Sequence, residues 1–238
     1  KATATVFEVG SFIADTRQGG SCNVSEYRLI PHCNGTHTEC VGHISNNPVS
    51  LHKILSDTLV ATTVISVTPQ SAAETNDTYR PAKQKDDKLI TREILQEHLS
   101  MSNHDFIDSL VIRTLPNGAS KCTRNYAQQH PPFFSIESMH YIHQLGVRHL
   151  LVDLPSVDRV SDDGFLSAHR IFWGVDPGRH DIDPSDCSLK TITEMVYVSD
   201  SIRDGNYLLN LQVPAFLSDA APSRPILYSI LDDGEADL

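Results

Sequence analysis

Between Pro31 and His43 the chain reads PHCNGTHTECVGH, which places three histidines, two cysteines and a glutamate within one short segment. Any fold has to give these groups partners together, because a buried imidazole, thiolate or carboxylate without a hydrogen bond, counter-charge or metal is costly. Gly35 lets the backbone turn sharply, and the apolar run Tyr27–Ile30 before it reads as a strand. In an extended segment residues two apart point the same way, so His37 and Glu39 can share one ion while Cys33 and His43 approach from the ends. His32, one place earlier, would face the opposite side and is the alternative to Cys33. A mixture of thiolate, imidazole and carboxylate suits Zn²⁺ better than Mg²⁺ or Ca²⁺. No CxxC occurs, which disfavours a structural zinc module. On composition alone two readings stay open, a metal site and a polar loop whose histidines satisfy one another.

The rest of the chain narrows the class. Its 238 residues, 39% hydrophobic and 21% charged, exclude a wholly disordered polypeptide. A net charge of −11 argues against nucleic acid or an anionic membrane surface as a partner. No apolar run approaches the roughly 20 residues that span a bilayer. The first residues, KATATVFEVG, lack the charged start and long apolar middle of a signal peptide; the expected cytoplasmic location rests on the cysteines, which read as reduced thiols. Five cysteines, an odd number, do not suggest a disulfide framework, and Cys22, Cys122 and Cys187 read as reduced, buried thiols. Of the 12 histidines, four fall between His32 and His52.

Strand-like runs lie at Leu59–Val67, Ser109–Thr114, Val147–Asp153, Thr191–Val198, Tyr207–Val213 and Arg224–Ile230. Helices are expected from Thr91 to Leu99, opened by a threonine cap, and from Ser135 to Leu145, stopped by Gly146. Ala72–Asp87 carries almost no large apolar side chain and reads as an exposed loop between two halves of one core. Strands outnumber the helices interspersed with them, so the class is α/β or mixed α+β. Trp173 and the Phe133–Phe134 pair are expected in the core.

The segment around Gly35-Thr36-His37 resembles the signature HxGTHxDxPxH of the cyclase family that includes bacterial kynurenine formamidase and isatin hydrolase. The likeness continues through Gly146–Asp158, where a strand ends in an aspartate followed by a proline-serine turn. It extends to His169 and Glu194, and to the tail from Gly205 to Arg224. It implies a swivelling β/β/α fold with a mixed sheet core, in one domain over residues 1–238. It also implies that Cys33, His37, Glu39, His169 and Glu194 hold one or two ions, Zn²⁺ ahead of Mn²⁺, with His43 as the general acid/base. Two ligand positions depart from the signature, Cys33 for a histidine and Glu39 for an aspartate, yet each keeps a side chain able to bind metal. The 25 residues from His169 to Glu194 exceed what the resemblance leads one to expect. The polar segment Asp176–Pro184 between them could cover the site, and His180 could compete with His169.

The chemistry implied is hydrolysis of a carbon–nitrogen amide bond in a small aromatic or cyclic substrate through metal-activated water, by a homodimer or higher homo-oligomer. Two alternatives compete. One is a non-catalytic binding protein that has lost its metal; the other is a hydrolase using Cys33 or Cys40 as nucleophile with His37 or His43 as base.

Overall fold

The computed structural model describes residues 2–57, 59–100, 104–126 and 129–230. Near the N-terminus, β1 (Thr3–Val6) pairs antiparallel with β4 (Ser25–Arg28), and β2 (Glu8–Val9) pairs with β3 (Phe12–Ile13). The principal sheet has eight strands. In chain order they are β5 (His37–Cys40), β6 (Leu59–Val67), β9 (Ser109–Thr114), β11 (His149–Val152), β12 (Thr191–Glu194), β13 (Gly205–Asn210), β14 (Ala220–Pro222) and β15 (Ile226–Ser229). Between them β7 (Gln70–Ser71), β8 (Lys88–Ile90) and β10 (Phe133–Phe134) form a small side sheet. The principal order is β14-β5-β12-β11-β9-β6-β13-β15. Its four middle strands, β12, β11, β9 and β6, run parallel, with antiparallel strands added on both sides. β9, β11 and β12 are buried along their whole length, which is why Leu-Val-Ile and Leu-Leu-Val runs read as continuous rather than alternating.

The edge strands β14 and β15 are successive in the chain, joined only by Ser223, Arg224 and Pro225. A flat sheet of eight strands would separate its edges by about 34 Å, whereas that connection reaches about 14 Å at full stretch. The sheet therefore has to curl until its edges approach each other. Its outer face packs on α3 (Arg92–Leu99), α4 (Ile136–Gln144) and α5 (Ser167–Trp173), burying Leu95, Met139, Ile142 and Phe172 against Ile65, Ile112, Leu150 and Ile192. Its other face buries a second cluster with Val64, Val111, Leu151 and Leu209. Thr91 and Ser135 cap α3 and α4 through their hydroxyls, and Gly146 supplies the left-handed turn (φ 79°) after α4.

Three expectations need correction. Ala72–Asp87 is not simply an exposed loop: Ala72, Tyr79 and Asp87 are buried, with Ala72 and Tyr79 packed against Leu89 and Phe133. The strand expected over Thr191–Val198 stops at Glu194, because Met195 takes up a left-handed conformation (φ 54°) that no strand can continue through. Cys22 and Cys122 are exposed rather than buried; all five cysteines are free thiols. Trp173, Phe133 and Phe134 lie in the core. No helix among the described residues is long and apolar enough to cross a membrane.

At the end of β11, Asp153 ties neighbouring segments together. Its carboxylate accepts from Thr114 N and Oγ1, each at 2.9 Å, and from Lys121 Nζ at 2.7 Å. Both members of the ion pair are almost wholly buried. Asp153→Ala leaves the Lys121 charge buried and unpaired, so urea unfolding is expected to show a loss of about 3–5 kcal/mol; a loss below about 1 kcal/mol would mean the pair contributes little.

Candidate metal centre

β5 carries the centre of the site. It lies between β12 and β14, antiparallel to both, with His37 opposite Glu194 and Glu39 opposite Ile192 and Ala220. Alternation along the strand turns His37 and Glu39 to the face that meets α5, while Thr38 turns away and bonds Thr193 and Ser223 through its hydroxyl. From α5, His169 projects onto the same spot.

Glu39 is the common partner. Its Oε1 lies 2.8 Å from His169 Nε2 and its Oε2 lies 2.9 Å from His32 Nδ1, with His43 Nδ1 at 3.9 Å. Glu194 lies opposite: Oε1 accepts from Val157 N at 2.9 Å and sits 3.6 Å from His169 Nε2, and Oε2 is 3.5 Å from His37 Nε2. The three imidazoles share one pattern. His169 Nδ1 donates to Asp158 at 2.6 Å, His37 Nδ1 donates to the Gly35 carbonyl at 3.0 Å, and His32 Nε2 donates to Asp219 at 2.9 Å. Each ring thus has one nitrogen held from outside and the other directed at Glu39 or Glu194. Asp158 is itself fixed by Tyr79 Oη and by the backbone N–H groups of Ala168 and His169 at the start of α5.

The charges are strongly coupled. Burial works against ionised Glu39, but His169 and His32 hold its carboxyl well below the usual range. Burial likewise opposes a charged His169, yet Glu39 and the bonds to Asp158, Glu194 and Glu39 raise its pKa well above the ordinary imidazole value. For His32 burial is again outweighed, by hydrogen bonds to Asp219 and Glu39, and its pKa rises to about 10. Hydrogen bonds from His32 and His43 hold Asp219 well below its normal value.

A metal ion fits these residues. His37 Nε2 is buried and has no hydrogen-bond partner, although it faces Glu194. The donor atoms of His32, His37 and Glu39 lie within 4.8 Å of one another, as do those of Glu39, His169 and Glu194, so Glu39 is common to two candidate positions. An outward-facing third group, His32, His43 and Asp219, meets the same spacing.

The residues singled out from sequence do not all arrive here. His37, Glu39, His169 and Glu194 converge, and His43 stands at their edge. Cys33 does not: it is exposed and lines a separate cavity with Lys121, Cys122 and Tyr126. Pro31–Asn34 forms a single helical turn, α1, rather than an extended segment. Successive side chains there differ by about 100° rather than alternating, and His32 is the one that faces the cluster. The donor set is consequently nitrogen and oxygen without thiolate, which weakens the argument for Zn²⁺ over Mn²⁺. His180 also stays out, since its Nδ1 donates to the Ile44 carbonyl. The Asp176–Pro184 segment is anchored by Arg170, which donates to the carbonyls of Asp176 and Arg179. Asp158 and Asp219 lay within stretches that carried the family likeness, but no local spacing marked either as a partner of a histidine.

Fold and site together define a mixed-sheet protein with a buried His/Glu centre suited to a divalent ion. The sequence model of the Cyclase family matches residues 3–159, and the chain belongs to that family. The kynurenine formamidase of Bacillus cytotoxicus is 30% identical over 135 residues, covering 55% of this chain and 54% of that protein, so the alignment spans about half of the curated relative. Solved structures share the fold. Isatin hydrolase A from Labrenzia aggregata superposes with a TM-score of 0.61 at 15% identity, over 95% of this chain and 82% of that one. Isatin hydrolase A from Ralstonia solanacearum gives 0.58 at 14%, over 95% and 80%. A protein described as a predicted metal-dependent hydrolase from Bacillus stearothermophilus gives 0.56 at 15%, over 95% and 86%.

Cys33→Ala is expected to leave metal content unchanged while His32→Ala lowers it, as measured by elemental analysis of protein purified without an affinity tag; the reverse pattern would restore Cys33 as the ligand. The raised pKa values of His32 and His169 favour their protonated forms in the absence of metal, so ion binding should release protons. Apparent affinity should then rise with pH towards about 10, where His32 loses its proton unaided. Calorimetry in buffers of different ionisation enthalpy measures the release, and a heat independent of buffer would refute it.

Proposed function

We propose that this protein is a metal-dependent hydrolase that cleaves a carbon–nitrogen amide bond in a small aryl or cyclic amide, the chemistry named for the kynurenine formamidase and isatin hydrolases it is similar to. The observation that carries this reading is the convergence of His32 Nδ1, His37 Nε2 and His169 Nε2 on two buried carboxylates, each ring held from behind by an acceptor. His32, His37, Glu39, His169 and Glu194 would hold a divalent ion, which would supply a Lewis acid able to activate water and polarise the carbonyl under attack. The chain's own residues supply the rest. Glu39 and Glu194 keep the centre anionic enough to hold a dication, and Asp158 fixes the His169 ring so that only Nε2 faces inward.

His43 is the proton carrier in this reading. It is part-exposed, 3.9 Å from Glu39 and 5.7 Å ring to ring from His169, so it borders both the buried centre and the solvent through which substrate arrives. An imidazole at this position can take a proton from the attacking water and deliver it to the departing nitrogen. The thiol alternatives lose support from geometry. Cys40 is fully buried, and burial pushes its pKa to about 12, the opposite of what a nucleophile needs. Cys33 lies outside the histidine cluster.

We also propose a homo-oligomer, because Val9, Val24, Tyr27 and Ile30 near the N-terminus expose large apolar side chains of the kind a second copy would cover.

Removing metal with a strong chelator is expected to abolish hydrolysis of N-formyl arylamines and isatin, and Zn²⁺ or Mn²⁺ should restore it; activity that persists in metal-free protein would sink the proposal. His43→Ala should retain its metal and lose roughly 10²–10⁴-fold in turnover, whereas His37→Ala should lose both. Equal metal loss in the two variants would show that His43 is a ligand.

A further inference from the structure

We infer that Asp219 is the positioning residue that fixes the ring of His32 for metal binding, an inference that rests on the metal-centre reading above. Asp219 Oδ2 accepts from His32 Nε2 at 2.9 Å and lies 3.5 Å from His43 Nδ1, while the two imidazoles lie 4.3 Å apart between centroids, tilted by 35°. A neutral imidazole has one N–H and one lone pair. Once the His32 ring is neutral, an Nε2–H committed to Asp219 leaves its lone pair on Nδ1, the atom that faces Glu39. Asp219 therefore selects both the tautomer and the rotation of the ring, as Asp158 does for His169.

The main chain is built to keep Asp219 there. Its carbonyl accepts from Cys40 N at 3.0 Å, at the end of the strand carrying Glu39, and the next residue, Ala220, is in register with Glu39. Ser218 Oγ reaches the second carboxylate oxygen at 3.2 Å. Gly42 leaves room for the approach, since a Cβ there would lie 2.4 Å from the Val49 carbonyl oxygen and 3.0 Å from Asp219 Cβ. Asp219 could instead be a ligand in its own right with His32 and His43, whose donor atoms meet the spacing. The buried, unpartnered Nε2 of His37 favours positioning. A neutral His32 offers one lone pair, and a set of His32, His37 and Glu39 gives that nitrogen a partner, whereas the outer set of His32, His43 and Asp219 leaves it without one.

The test is Zn²⁺ affinity and stoichiometry of the full chain, measured by competition with a chromogenic chelator, for wild type, Asp219→Ala and Asp219→Asn. Wild type and both variants are expected to bind the same number of ions per chain. Asp219→Ala should bind about 10–100-fold more weakly, and Asp219→Asn, which keeps an acceptor oxygen for His32 Nε2, should recover most of that loss. Equal affinity in wild type and Asp219→Ala would overturn the inference, and so would an alanine-sized loss in Asp219→Asn. The loss of one ion per chain in Asp219→Ala would make Asp219 a ligand and overturn it as well. A wild-type protein that takes up no Zn²⁺ would refute the metal reading itself, which is a different result from any of these.

Discussion

Everything around the centre follows from putting the Glu39 carboxylate where water cannot reach it. An isolated buried anion is prohibitively expensive in a low-dielectric interior. Here its two oxygens face His169 on one side and His32 on the other, each within 2.9 Å. Those imidazoles in turn need partners for their far nitrogens, and the fold provides Asp158 and Asp219. The result is a chain of alternating acids and imidazoles running from the start of α5 to the strand edge at Asp219. Protons on the imidazoles offset the carboxylates in the absence of metal, and a dication held by the same residues would take over that charge as the protons leave.

Sheet topology delivers the pieces. β5 supplies two groups on one face, and its neighbour β12 ends on Glu194 in register with His37. The left-handed Met195 then turns the backbone, and its N–H bonds the Leu154 carbonyl while Val157 N reaches Glu194. Backbone strain in a residue without a small side chain is expected where the surrounding structure insists on a particular geometry, and here it sits directly beside a site carboxylate.

Much of the framework was legible from periodicity and end signals. Leu59–Val67 and Ser109–Thr114 are strands with the bounds expected of them, and Thr91, Ser135 and Gly146 terminate helices as their chemistry suggests. The placement of His37 and Glu39 on one face was legible from strand alternation. The placement of His32 and Cys33 was not, because a single helical turn opened by Pro31 replaced the alternation assumed for an extended segment. The outer carboxylates were harder still. Asp219 lies 187 residues from His32, and only the folded sheet brings them together. Met195 gave no warning either, since its conformation is imposed by contacts distant in sequence.

The short link between the two edge strands also sets an order of assembly. β5 belongs to the first fifth of the chain, yet both of its sheet neighbours belong to the last quarter; the bond from Thr38 to Ser223 spans 185 residues. Pairings this remote form slowly, because loop-closure entropy is lost before contacts repay it. During synthesis the strand bearing His37 and Glu39 emerges early and stays unpaired until β12 and β14 arrive. Asp219 enters with that closing strand. Maturation of the metal centre and closure of the sheet are thus a single late event, and a chain clipped ahead of β14 would keep its ligands while losing the means to hold them in place.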